Sequence, residues 1–171
     1  PTTSDSVYFD GNSGLVAASI VNLNLPIDVA TFDFSGANIP FQFQCALASI
    51  SVSTSLRGSV NPTFTGWTGF WNLTTNTTGS IVSNGRTWTN DIKMVGTGVL
   101  TMSTLSSNAD LYLNAGSINL SGSTSSIANF YSLGVNIRSI NLTNTIFSVT
   151  GTVWNVSSTN FSILHTNGRI N

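Results

Sequence analysis

Ser117-Ile-Asn-Leu120 recurs as Ser139-Ile-Asn-Leu142, 22 residues further on, and the reading of that recurrence separates two folds. A period of about 20 residues or more is the mark of stacked coils, a β-solenoid. The looser Trp154-Asn-Val-Ser157 follows, but no third copy arrives in step. Outward from this pair the chain is dense with short apolar or alternating runs. Val7-Tyr-Phe9, Leu23-Asn-Leu25, Phe41 to Leu47, Ile50-Ser-Val52, Val99 to Leu105, Leu111-Tyr-Leu113, Leu133 to Ile137, Ile146 to Thr152 and Phe161-Ser-Ile163 all carry it. Gly, Asn, Ser and Pro punctuate them about every 8 to 12 residues, the spacing of a β-sandwich of the jelly-roll or immunoglobulin-like kind. The sandwich is the preferred architecture, and the β-solenoid is the alternative.

Helix signals are nearly absent. Glutamate is missing, Lys93 is the only lysine, and Ala and Leu do not recur at helical spacing. Asn84-Gly85, between Ile81-Val82 and Trp88, reads as a hairpin turn. Between Phe43 and Val52 the apolar phase slips from odd to even positions, which a bulge or a short corner absorbs.

Charge is scarce. Lys and Arg number 5, Asp and Glu 6, and charged residues make up 6% of 171, for a net charge of -1. Nearly three residues in ten are Ser or Thr, so neutral hydroxyls and amides wet the surface. A hydrophobic fraction of 40% supports a real core and argues against disorder. No basic cluster marks a nucleic-acid or anionic-lipid surface. The apolar run from Leu15 to Val21 is too short to span a bilayer, which needs about 20 residues. The chain opens at Pro1, as a mature secreted or cell-surface product does after its leader is removed. Cys45 stands alone in an alternating run and reads as a small buried hydrophobe. With so few titratable groups, stability is expected to change little in acid.

The first 25 residues form an expected N-terminal arm, and residues 26–171 a head domain. Within the arm Val7, Phe9, Leu15, Ala17, Val21, Leu23 and Leu25 supply the apolar positions, and Pro26 stops the run. Asn72, Asn76, Asn119, Asn141, Asn155 and Asn160 each open an Asn-X-Ser/Thr triplet, the acceptor for N-linked sugar on secreted chain. Trp67, Phe70 and Trp71 are a candidate aromatic platform for sugar rings, with core or interface packing the competing reading. The six aspartates and His165 form no catalytic or metal-ligating pattern. Asp28 and Asp33, five apart, fall on opposite faces of a strand. No enzymatic activity, cofactor or metal is expected.

The neutral, Ser/Thr/Asn-rich composition, the arm from Val7 to Leu25 and the six sequons together resemble the subunits of archaeal extracellular filaments of the thread type. The resemblance is compositional and covers the whole chain. It implies a glycosylated structural subunit whose N-terminal strand completes the sheet of the next copy, giving a homopolymeric pilus-like fibre. The alternative function is a cell-surface adhesin, carbohydrate-binding module or viral fibre segment, with surface carbohydrate as the partner.

Overall fold

A computed structural model describes residues 2–46, 49–157 and 159–171. The described residues contain no helix. In chain order the strands are β1 (Ser6–Tyr8), β2 (Ile20–Leu23), β3 (Ile27–Asp33), β4 (Gln42–Cys45), β5 (Ser49–Arg57), β6 (Thr63–Thr65) and β7 (Phe70–Leu73). Next come β8 (Thr78–Val82), β9 (Thr87–Trp88), β10 (Ile92–Met94), β11 (Val99–Met102), β12 (Ser106–Ser107), β13 (Leu111–Leu113) and β14 (Gly116–Asn119). The last are β15 (Thr124–Ile127), β16 (Phe130–Ser132), β17 (Arg138–Asn141), β18 (Ile146–Val149), β19 (Trp154–Val156), β20 (Phe161–Leu164) and β21 (Arg169–Ile170).

Every pairing between these strands is parallel. A two-residue hairpin joins antiparallel strands only, whereas parallel neighbours require the chain to travel round and return. The chain does so about seven times, as a β-solenoid. This corrects the expected sandwich.

Three faces result. The first stacks the start of β3 and of β5, then β7, β10, β13, β16 and β19. The second stacks β1, the ends of β3 and β5, then β8, β11, β14, β17 and β20. The third is split into β2-β4-β6 and β9-β12-β15-β18-β21. The two Ser-Ile-Asn-Leu copies lie on the second face, directly stacked: Ser117 on Ser139, Ile118 on Ile140, Asn119 on Asn141. Their third member is Ser162-Ile-Leu164, while Trp154 belongs to the first face.

Strand alternation sends every second side chain inward. On the first face Ile50, Trp71, Ile92, Leu111 and Phe130 form one interior row, all at 0–1% exposure. Polar groups inside are satisfied by the neighbouring coil: Thr145 Oγ1 donates to Leu120 O at 2.6 Å, and Ser132 Oγ to Leu113 O at 3.1 Å. Arg138 is fully buried, and its Nε, Nη1 and Nη2 donate to Asn136 O, Ser132 Oγ, and the carbonyls of Ser157 and Thr159.

Corners demand close backbone approach. A Cβ on Gly98 falls 2.3 Å from Thr77 O, and one on Gly116, at φ +70°, falls 2.5 Å from Gly98 O. Asn84 and Gly85 do turn the chain, at φ 47° and 79° with Arg86 N donating to Ser83 O. The strands they join sit on different faces, however, so the expected hairpin is instead a corner. The phase slip after Phe43 likewise falls at the connection from β4 to β5, where Leu47 and Ala48 lie outside the described residues.

Candidate functional site

A stack of parallel strands is finished on its flanks and open at its two ends, because each terminal strand bonds on one side only. At the N-terminal end these strands are β1, which pairs with the end of β3, β2, which pairs with β4, and the start of β3, which pairs with β5. At the C-terminal end they are β19, β20 and β21. Exposure along one interior row shows the consequence: Ile118 and Ile140 are at 0%, and Ile163, next in the row, is at 41%. Leu142, Ile163, His165, Gly168 and Ile170 line a hollow of about 370 Å³ at this end. Backbone groups without partners and half-covered apolar rungs are a template for another strand.

The expected polymerisation residues lie in the opposite, first coil. Val7, Leu15 and Val21 are half-buried, Leu23 is buried, and Ala17 and Leu25 are exposed. Phe9 packs its ring against Phe32, Phe41 and Phe43. Residues 1–25, expected as an arm apart from a 26–171 head, thus contribute two strands paired within their own chain.

Trp67 and Trp71, expected with Phe70 as a sugar platform, are at 7% and 1% exposure and meet edge to face at 4.9 Å. Both belong to the core. Phe70 is half-buried beneath Lys93, whose Nζ lies 3.4 Å from the ring centroid. All six sequon asparagines lie outside the core: Asn76, Asn155 and Asn160 are exposed, and Asn72, Asn119 and Asn141 half-buried. Asn72 and Asn155 share an outward row on the first face with Lys93, Tyr112 and Tyr131. Asn160 Nδ2 already donates to Val135 O at 2.7 Å.

Beside that outward row, two positions earlier in each coil, polar groups from successive coils meet. Asp110 N donates to Asp91 Oδ1, Asn129 Nδ2 donates to Asp110 Oδ1, and Val153 N donates to Asn129 Oδ1. Tyr112 and Tyr131 stack at 4.8 Å with planes 11° apart, and the Tyr112 hydroxyl donates to Asp110 Oδ2 at 3.3 Å. Burial, followed by the charges of Asp91 and Asp110, pushes the Tyr112 phenol up to about 12. The signal was present at 19-residue spacing, in Asp91-Ile-Lys, Asp110-Leu-Tyr and Asn129-Phe-Tyr. The tyrosine faces are turned to each other, so this ladder ties coils together. Among the described residues no group of three His, Cys, Asp or Glu is placed to hold a metal, and no helix is long and apolar enough to cross a membrane.

These features define a parallel β-solenoid whose described strands leave unpaired edges at both ends of the stack. No protein family, no curated protein and no solved structure matches the chain.

Proposed function

We propose that this chain is a structural unit of an extracellular fibre, built by stacking the C-terminal coil of one copy on the N-terminal coil of the next. The observation that carries this reading is the pair of open ends: parallel strand edges on three faces at each terminus, with apolar rungs half-exposed. Because all strands run parallel, a head-to-tail copy continues each face in the same sense. A head-to-tail contact is heterologous and does not close on itself, so it yields a filament. The donated element here is a whole coil, in place of the loose arm expected from the sequence. N-linked glycans on the exposed sequon asparagines, together with Ser and Thr hydroxyls, supply the solubility that scarce charge does not.

Sedimentation and negative-stain microscopy of the full chain test the reading. Rods of one width and variable length are expected, and Ile163→Asp, which puts a charge on the open C-terminal rung, should reduce them at least tenfold while leaving the β-sheet circular dichroism intact. A chain that stays monomeric at high concentration, or an Ile163→Asp variant that assembles as well as the parent, overturns it.

A further inference from the structure

The third face breaks between β6 and β9, and the break contains an arginine unlike the other buried one. Arg86 is at 8% exposure and lines two clefts that open on either side of its own turn, one of about 410 Å³ and one of about 340 Å³. Its guanidinium carbon lies 5.2 Å from the centroids of Phe34 and Phe64 and 5.4 Å from that of Trp88. Nη1 donates to Ser59 O at 3.1 Å and Pro62 O at 2.7 Å. Nε is buried with no partner, and both hydrogen bonds of the guanidinium seen among the described residues are made by Nη1.

Arg138 shows what a purely structural arginine looks like in this fold, since all three of its nitrogens are engaged in hydrogen bonds. A buried cation is stable only when it is paired or fully hydrogen-bonded, and an unmade bond to a charged group is costly. Arg86 has no carboxylate to pair with: the single ion pair among the described residues joins Arg57 to Asp33. Burial accordingly lowers its pKa to about 10.

The larger cleft has the makings of a ligand site. Val60, Pro62 and Phe64 supply an apolar wall, and Thr63, Thr87 and Thr89 add hydroxyl-bearing side chains to the lining. Its volume falls in the range of small-molecule pockets, which combine such walls with a few orienting polar groups. An arginine fork suits planar or tetrahedral oxyanions in particular. We propose that the Arg86 cleft, at the seam between β6 and β9, binds an oxyanion, carboxylate or sulfate, carried on a monosaccharide-sized hydroxylated body. The ring stacks on the apolar wall, the threonines meet its hydroxyls, and the oxyanion accepts N–H groups from the guanidinium edge that lines the cleft.

Titration calorimetry on the full chain tests this with sodium glucuronate, glucose 6-sulfate, glucose and inorganic sulfate as probes. Glucuronate or glucose 6-sulfate should bind at least tenfold tighter than glucose. Arg86→Lys, which keeps a charge and loses the fork, should weaken that binding at least tenfold. Because changing Arg86 also disturbs the core, Thr87→Asp provides a second variant at an exposed position. A carboxylate there either occupies the fork or repels the ligand, so binding should again fall at least tenfold with the melting temperature preserved. Thr101→Asp, on the outer side of β11, should leave binding unchanged. Equal binding of glucose and glucuronate, binding of inorganic sulfate alone, no binding of any probe, or full binding by Thr87→Asp overturns the proposal.

Discussion

The N-terminal coils and the central coils solve the same packing problem with different side chains. In the first, Phe9, Phe32, Phe34, Phe41, Phe43, Phe64, Trp67, Trp71 and Trp88 form one continuous network of ring contacts. Between Trp88 and Phe130 the interior holds no aromatic ring at all; it is Ile, Leu, Met and Ala with Asn90 and the buried hydroxyls of Ser107, Ser123 and Ser125. Coil length tracks the difference. Ile27, Ile50 and Trp71 follow at 23 and 21 residues, whereas Ile92, Leu111 and Phe130 follow at 19. Where the chain widens again, from Phe130 to Trp154, rings return as Phe130, Phe147, Trp154 and Phe161. A longer coil encloses a wider cross-section, and interiors must be filled to crystal-like density. The cross-section therefore selects the side chain. The two buried arginines mark the margins of the narrow stretch, Arg86 at its opening seam and Arg138 where it widens.

The largest test of this contrast is a pair of truncations on the first face. Trp71→Ala should cost about 3–5 kcal/mol, because four neighbouring rings, Phe32, Phe64, Trp67 and Trp88, cannot collapse into the void. Leu113→Ala, in a 19-residue coil, should cost about 2–3 kcal/mol by urea denaturation, since a narrow coil closes more readily on the gap. Equal costs, or the reverse order, would break the link between coil width and filling.

Gly98→Val should rank next, at about 2–3 kcal/mol, because its side chain meets the Thr77 carbonyl of the coil beneath. Chemical denaturation that leaves the midpoint unmoved would show that the coils are not so closely stacked there. Thr145→Val, which keeps the shape and deletes the bond to Leu120 O, should cost about 1 kcal/mol. A neutral result would mean that this interior hydroxyl is not needed to satisfy the carbonyl of the coil beneath it.

The smallest effect is in alkali. The phenol of Tyr112 has its folded value raised above the ordinary 10, so its contribution is complete below pH 10 and is lost as pH rises toward 12. Arg86 acts in the opposite sense, since its folded value is lowered and the penalty on its charged form is relieved as pH rises past about 10. Comparing the parent with Tyr112→Phe isolates the first term: the parent should lose more stability between pH 10 and 12. Parallel pH profiles for the two proteins would remove the inter-coil role assigned to the Tyr112–Asp110 contact.

All-β content, the interior place of Cys45, and the turn at Asn84-Gly85 were legible in the sequence. The topology was legible only in Ser117-Ile-Asn-Leu120 and its copy, and two features hid it. The coil length drifts from 19 to 24 residues, so the third member, Ser162-Ile-Leu164, arrives one residue late and has Leu164 where asparagine stood. A strand half-buried in a solenoid also alternates with the same period of two as one in a sandwich, so periodicity cannot tell parallel from antiparallel neighbours. Of the long strand that the apolar pattern from Leu15 to Leu25 suggests, only Ile20–Leu23 is strand, and its partner is set by tertiary pairing, which the pattern does not encode. Arg86 gave no local signal: only the break between β6 and β9 makes it a buried cation beside open space.

Paired cysteines in the two contrasting regions test the in-register parallel stack most directly. In a Cys45→Ala background, Asn22→Cys with Gln44→Cys and, separately, Ser117→Cys with Ser139→Cys place thiols on directly stacked outward positions. Adjacent strands in a parallel sheet lie about 4.8 Å apart, within the span a disulfide bridges. Mild oxidation should close each pair within one molecule, giving a faster-migrating monomer on a non-reducing gel. Thiols that stay free at Ser117 and Ser139, or an Asn22–Gln44 pair that links only between molecules, would contradict the stack.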